Sequence, residues 1–210
     1  MLKNKLGITN SAESAKIEEK ISKQNALNMF ESGYLDRLEP GTYESLARIH
    51  YGLFHEIYDF AGKMRSVNLA KGSFRFASSI YLKAALEHID AMPQSSFDEI
   101  IEKYVEMNIA HPFREGNGRS MRIWLDLMLK KELGKVIDWS QVNKEDYLLA
   151  MERSPVKDVE IKHLLQRALT DEIQNREMYM KGIDYSYYYE GYAVYKTEEF
   201  IRQRAFIIKH

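Results

Sequence analysis

Between His111 and Arg122 the sequence reads HPFREGNGRSMR, and nearly every residue type in it has a use in phosphate chemistry. Histidine titrates near neutrality, so His111 is the natural general base. Glu115 supplies the carboxylate oxygen that Mg²⁺ takes alongside phosphate oxygens and waters. Gly116 and Gly118 flank Asn117, and two glycines this close permit backbone conformations that turn successive N–H groups inward. Arg119 and Arg122 lie three apart, on one face of a helix, and guanidinium forks suit phosphate oxygens. A base, a metal ligand, an anion cradle and two cations are the parts phosphoryl or nucleotidyl transfer requires, because its catalysis is mostly positioning and charge stabilisation. The plain alternative for the segment is a tight inter-helix turn with surface arginines.

The elements that must position these residues are helices. Ser96 to Ala110 carries Phe97, Ile100, Ile101, Tyr104, Val105 and Ile109 at helical spacing, and Pro112 then leaves His111 at the C-terminal end. Ser120 to Glu132 repeats the pattern with Ile123, Trp124, Leu127 and Leu129, closed by Gly134. The start of this second helix points unpaired N–H groups and a positive dipole end at the glycine segment, where a phosphate fits. Further helices are expected over Tyr43 to Phe60, stopped by Ala61-Gly62, and over Lys144 to Met151 and Val156 to Leu169. One segment differs. Asn68 to Ser78 has a turn signal at Lys71-Gly72 and alternates Phe74 and Phe76 around Arg75, which reads either as a short β-hairpin or as an aromatic loop pinned to the core. The fold class expected is all-α.

At 210 residues, 45% apolar and 29% charged, the chain suits one globular domain with a terminal appendage. Lysine plus arginine number 30 against 31 acidic residues, so no long-range field gathers nucleic acid and phosphate chemistry must come from a local arrangement. Cysteine is absent, which excludes disulfides, thiolate catalysis and cysteine-type zinc sites. The N-terminal stretch has no apolar core of a signal peptide, and no segment approaches a membrane span, so a cytoplasmic protein without membrane partners is expected.

His111 to Arg122 resembles the complete signature of the Fic family, His-Pro-Phe-x-(Asp/Glu)-Gly-Asn-Gly-Arg-x-x-Arg. The resemblance extends upstream to Phe60-Ala61-Gly62 and the Lys71 to Ala77 hairpin, and downstream to the tail. It implies an all-helical Fic core (residues 25–180) after an N-terminal extension (1–24), and transfer of AMP from ATP onto a Ser, Thr or Tyr hydroxyl of a target protein. On that reading His111 deprotonates the hydroxyl, and Glu115 holds Mg²⁺ bridging the α- and β-phosphates. Gly116 to Gly118, with the Asn117 side chain, cradle the phosphates, Arg119 stabilises the triphosphate and Arg122 holds the γ-phosphate. The kinase-like Doc branch has Lys where this chain has Gly118, which argues against phosphorylation. The hairpin, with Lys71, Gly72, Ser73, Phe74, Arg75 and Phe76, resembles the family's flap, which pairs with an extended target segment. Phe74 and Phe76 are then expected to be one flap anchor and one core residue.

Ser186-Tyr187-Tyr188-Tyr189-Glu190-Gly191 resembles the family's inhibitory motif, (Ser/Thr)-x-x-x-Glu-(Gly/Asn). Its position implies the third, single-domain class, with an inhibitory helix at 181–195 and a tail at 196–210 of no readable role. Ser186 and Glu190 are one helical turn apart. A carboxylate brought to Arg122 would occupy the γ-phosphate's partner. The same glutamate is implied in some relatives to align a water that removes AMP, which would make Glu190 a second catalytic residue. Some small bacterial relatives modify topoisomerase subunits, and oligomers could bury the brake helix. Two other readings stand beside adenylyl transfer: a related transferase with another nucleotide donor, and a non-catalytic nucleotide-binding module.

Overall fold

The computed structural model describes residues 2–71 and 74–189. In chain order these form α1 (Ser11–Glu31), α2 (Tyr43–Phe54), β1 (Ala70–Lys71), β2 (Phe74–Arg75), α3 (Leu82–Ala91), α4 (Phe97–Ala110), α5 (Asn117–Leu133), β3 (Val136–Ile137), α6 (Lys144–Arg153), α7 (Val159–Arg167), β4 (Leu169–Thr170) and α8 (Arg176–Tyr189). The described fold is mostly helical, and none of its helices is long and apolar enough to cross a membrane.

Helix α5 is the axis. Ile123, Trp124, Leu125, Leu127, Met128 and Leu129 are all buried, so apolar side chains leave it in nearly every direction. A helix apolar around its circumference has to be surrounded, and α2, α4 and α8 pack on it. Trp124 adds a polar tie, donating its indole N–H to Thr42 O at 2.9 Å just where α2 begins. Helix α4 starts in a full capping box, with Ser96 and Glu99 bonding each other's backbone N–H. Helix α5 stops at Gly134, whose φ of 63° lets it cap the last carbonyls.

Several expected boundaries move. Helix α2 ends at Phe54 rather than Phe60, because the amides of Ile57 and Tyr58 both bond to Phe54 O at 2.9 Å and turn the chain. Ile57 and Tyr58 are nevertheless buried. Apolar spacing cannot distinguish a continuing helix from a turn that returns the same face to the core. Helix α7 is shorter than Val156 to Leu169: Val156 is 95% exposed, and Leu169 pairs instead with Ile137 in a second two-stranded sheet. Helix α5 begins at Asn117, three residues before the expected start.

Helix α1 has no counterpart among the expected helices, since its buried face mixes Glu18, Glu19, Ser22 and Lys23 with Ala26 and Leu27. It runs unbroken through residues 24 and 25 and forms a bed for α8. Lys23 pairs with Glu19 at 2.7 Å and with Asp184 of α8 at 2.8 Å. Phe30 stacks on Tyr179, whose hydroxyl donates to Ala26 O at 3.1 Å. Gly182 lets α8 approach Trp139, since a Cβ there would lie 3.1 Å from the indole Cδ1.

Replacing Ser96 with alanine removes one half of the α4 capping box and is expected to lower stability by about 1 kcal/mol. A urea titration checks this, and an unchanged midpoint would show that the box does not hold the start of α4.

Candidate active site

Helix α4 ends where α5 begins to point back at it. His111, the C-cap of α4, has φ 48° and ψ 62°, a left-handed conformation that bulky side chains rarely adopt. Among the described residues it is the non-glycine residue with positive φ. Its amide still closes the last helical bond, to Met107 O at 2.9 Å. The left-handed residue ends the helix and meets the need of the residue before Pro112 to leave the right-handed region. The half-buried imidazole stacks on Phe76 with centroids 3.7 Å apart and planes at 20°.

The loop that follows is held from several sides. Gly116 has φ 76°, and a Cβ there would lie 2.5 Å from the Phe54 ring, so only glycine fits. Gly118 lies within the first turn of α5 and carries no positive φ, so the expected pair of unusual glycines reduces to one. Asn117 uses both ends of its amide on Phe113, accepting from the backbone N–H at 2.9 Å and donating to the carbonyl at 2.8 Å. Its side chain therefore braces the loop, and the N–H groups left to an anion are those of the backbone. Helices α1, α2, α4 and α6 each have a side-chain N-cap, but α5 has none. The positive end of the axial helix is open toward His111's loop.

His50 of α2, which the sequence did not single out, locks this loop. Its Nδ1 accepts the Gly62 N–H at 2.9 Å, and so its Nε2 carries the proton donated to Glu115 O at 2.8 Å. The ring stacks on Phe113 at 3.9 Å. Burial, with the nearby Arg119 charge adding to it, pulls its pKa down to about 3, so the imidazole is neutral at working pH.

The two arginines are buried, at 2% and 5% exposure, which rules out a turn with surface arginines. Arg119 bonds Glu115 at 3.0 Å and Glu18 of α1, and lies between the Phe54 and Tyr187 rings at 4.8 and 5.0 Å. Glu18 also accepts from the Tyr58 hydroxyl; burial, then the Glu18 charge, hold that phenol far above its usual pKa. Arg122 lies over the Trp139 and Tyr147 rings at 5.2 and 5.3 Å. Trp139 is in turn steadied by Asp126, whose carboxyl also accepts the Ile137 N–H at 3.0 Å and is pushed up to about 7 by burial. None of Glu18, His50 or Asp126 announces itself in sequence, because the partners of each lie in other elements.

Glu115 suits a metal that arrives with phosphates. Its side chain is 44% exposed and its Oε1 takes the Gly116 N–H and Arg119, which leaves the second oxygen. Among the described residues no cluster of three or more His, Cys, Asp or Glu could hold a metal alone. A single carboxylate beside an anion cup matches Mg²⁺ chemistry, in which phosphates and water complete the shell.

The hairpin is present: β1 and β2 pair antiparallel, Ala70 with Arg75 and Lys71 with Phe74. Phe74 and Phe76 are both half-buried and meet edge-on at 5.1 Å, so neither is the core residue expected of one of them. Phe76 directly follows β2, two positions after Phe74, and the two rings meet on one side of the chain. Gly72 and Ser73 lie outside the described residues, as do Glu190 and Gly191. Ser186 is buried and donates to Gly182 O at 3.0 Å, within its own helix. Tyr187 is 2% exposed and bonds Ser22, which makes it packing, while Tyr188 is half exposed.

A helical bundle in which α4 ends and α5 begins at one loop brings His111, the open start of α5 and two buried arginines together. Comparison narrows this further: the Fic/DOC family pattern matches residues 40–129. Over those residues the chain is similar to the Fic/DOC family. The protein adenylyltransferase VbhT of Bartonella schoenbuchensis is 29% identical over 189 residues, 83% of this chain. The match spans 38% of that relative's length. A probable protein adenylyltransferase Fic of Salmonella typhimurium is 26% identical, over 81% of this chain and 88% of its own. Among solved structures, the FIC domain of Bep8 from Bartonella sp. 1-1C superposes with a TM-score of 0.70 at 18% identity, covering 82% of this chain and 92% of that one. BepC from Bartonella tribocorum, solved with AMPPNP, gives 0.64 at 20% identity, covering 81% and 92%. These likenesses establish the fold.

The depressed pKa of His50 has a consequence for stability. The folded protein resists protonating a group that the unfolded chain protonates near 6.5, so its stability is complete above that pH and declines as pH falls toward 3. Comparing the parent with His50→Gln isolates this contribution: between pH 7 and 5 the parent should lose about 2 kcal/mol more than the variant. Parallel losses in chemical denaturation at the two pH values would mean that His50 is not held neutral.

Proposed function

We propose that this chain is a protein adenylyltransferase that moves AMP from ATP to a Ser, Thr or Tyr hydroxyl of a target protein. The observation that carries the reading is the meeting of His111 with the uncapped N-terminus of α5 across a glycine-opened loop. The names of the relatives support it. The triphosphate would lie along the backbone from Glu115 to Gly118, with Arg119 and Arg122 in reach of its oxygens. The target hydroxyl oxygen attacks the α-phosphorus, the bond to the bridging oxygen of the β-phosphate breaks, and pyrophosphate leaves. The hydroxyl proton passes to His111. Mg²⁺, when bound at Glu115, would offset charge on the phosphates. The hairpin would align the target segment by strand addition.

The same reading assigns a brake. Tyr187 of α8 lies on Arg119, and Glu190 follows it by three residues in the sequence, which supports a brake that acts at the arginines. Glu190 set against Arg122 would displace the γ-phosphate and leave ATP misaligned. A 100-fold brake requires about 2.7 kcal/mol, on the scale of one desolvated Glu–Arg pair. On this reading the motif acts as an inhibitory helix that follows the core. Glu190 would also align a water for removal of AMP from modified targets. Topoisomerase subunits are targets to test first, and self-association that covers α8 would strengthen the brake.

Incubated in a cell lysate with α-labelled ATP, Glu190→Gly should label proteins at least about 100-fold more than the parent, and His111→Ala in that background should label none. Equal labelling by parent and Glu190→Gly overturns the brake; labelling from GTP but not ATP assigns another donor. For the reverse reaction, purified AMP-modified target should lose AMP to the parent and not to Glu190→Gly, and identical behaviour of the two ends that assignment.

A further inference from the structure

We propose that Arg65 is the positioning residue that fixes the general base relative to the flap, and so to the hydroxyl the flap presents; this rests on the adenylyl-transfer reading above. Arg65 lies between α2 and β1 and is 2% exposed. Its Nε donates to His111 O at 2.7 Å, and one terminal nitrogen donates to Ala110 O at 3.0 Å and Ala77 O at 2.6 Å. The other terminal nitrogen donates to Val67 O at 2.6 Å. Its backbone N–H takes Pro112 O at 2.8 Å. Arg65 thus holds three consecutive residues around the base, Ala110 and His111 through the guanidinium and Pro112 through its own backbone. The guanidinium also holds both feet of the hairpin, since Val67 precedes β1 and Ala77 follows β2.

The electrostatics explain why an arginine is used. Burial lowers the guanidinium pKa, and among the described residues its hydrogen-bond partners are carbonyl dipoles. Two of them, on Ala110 and His111, are the last carbonyls of α4, where the helix dipole is negative. A flat fork with fixed donor directions dictates the relative placement of four carbonyls; the ammonium of lysine, a point donor on a flexible stem, does not. The left-handed backbone of His111 carries strain that persists only where surroundings over-determine it, and Arg65 bonds the carbonyl of that very residue. Ala77 N–H bonding Ile109 O at 2.9 Å completes the link from hairpin to α4.

The ATP cup is built by other residues, so Arg65 should act on transfer and not on nucleotide affinity. In the Glu190→Gly background, at a temperature where circular dichroism shows a folded protein, Arg65→Lys should lower kcat for AMP transfer at least about tenfold, and Arg65→Met about 100-fold, since ångström errors in placement have costs of that order. KM for ATP should stay within about twofold, and amide exchange at Phe76 and Ala77 should accelerate. Unchanged kcat in folded Arg65→Lys overturns the proposal, as does a rise in the ATP KM that accounts for the loss. Should Arg65→Met fail to fold, the lysine variant decides. Should the Glu190→Gly parent transfer no AMP, the activity reading fails, and exchange alone decides whether Arg65 joins hairpin to base: unaltered protection of Phe76 and Ala77 refutes it.

Discussion

A helix that ends and a helix that begins must face one small volume, with six residues, His111 to Gly116, to make the turn. That turn closes only if His111 accepts a left-handed backbone and if position 116 lacks a side chain, because the Phe54 ring occupies the space a Cβ would take. Everything else in the site follows from that constraint. Asn117 spends its amide on Phe113 to keep the turn closed, and His50 spans from Gly62 to the Glu115 carbonyl on the other side. The result is a loop in which the backbone N–H groups at the start of α5 carry no side-chain cap, the feature on which the proposed anion cup rests.

A second theme is the polar interior that joins α1, α5 and α8. Glu18 meets Arg119, Lys23 meets Glu19 and Asp184, and Ser22 meets Tyr187. Buried charges are tolerated when paired, and losing one partner typically costs roughly 3–5 kcal/mol because the other is stranded. A motif arginine, the N-terminal helix and the helix leading to the tail therefore share one network. Displacing α8 would disturb the surroundings of Arg119 without any change in the loop itself, which is the physical basis for the brake proposed above.

The sequence carried more of the site than of the fold. The twelve-residue motif stands in one run, so its chemistry could be read position by position, and the helices flanking it show apolar spacing on both sides. Lys71-Gly72 and the alternation of Phe74 and Phe76 left a hairpin and an aromatic loop as two readings, and the β1–β2 pairing decided between them. Helix α1 was not legible, because its buried face is half charged and its partners lie more than 100 residues away at Arg119 and Asp184. The end of α2 was misplaced because a turn at Phe54 keeps Ile57 and Tyr58 inside as well as a helix would.

What the sequence alone determined was local: residue types at fixed spacing, a histidine before a proline, and a glycine at 116 that frees the backbone. Those depend on neighbours within a turn or two of chain. Only the tertiary structure decided that Arg119 and Arg122 are interior, that Asn117 braces the loop, and that His50 and Arg65 hold it in place. Each of those roles is a hydrogen bond or a stack between segments far apart in sequence, and no spacing rule encodes a distance that exists only after the chain has folded.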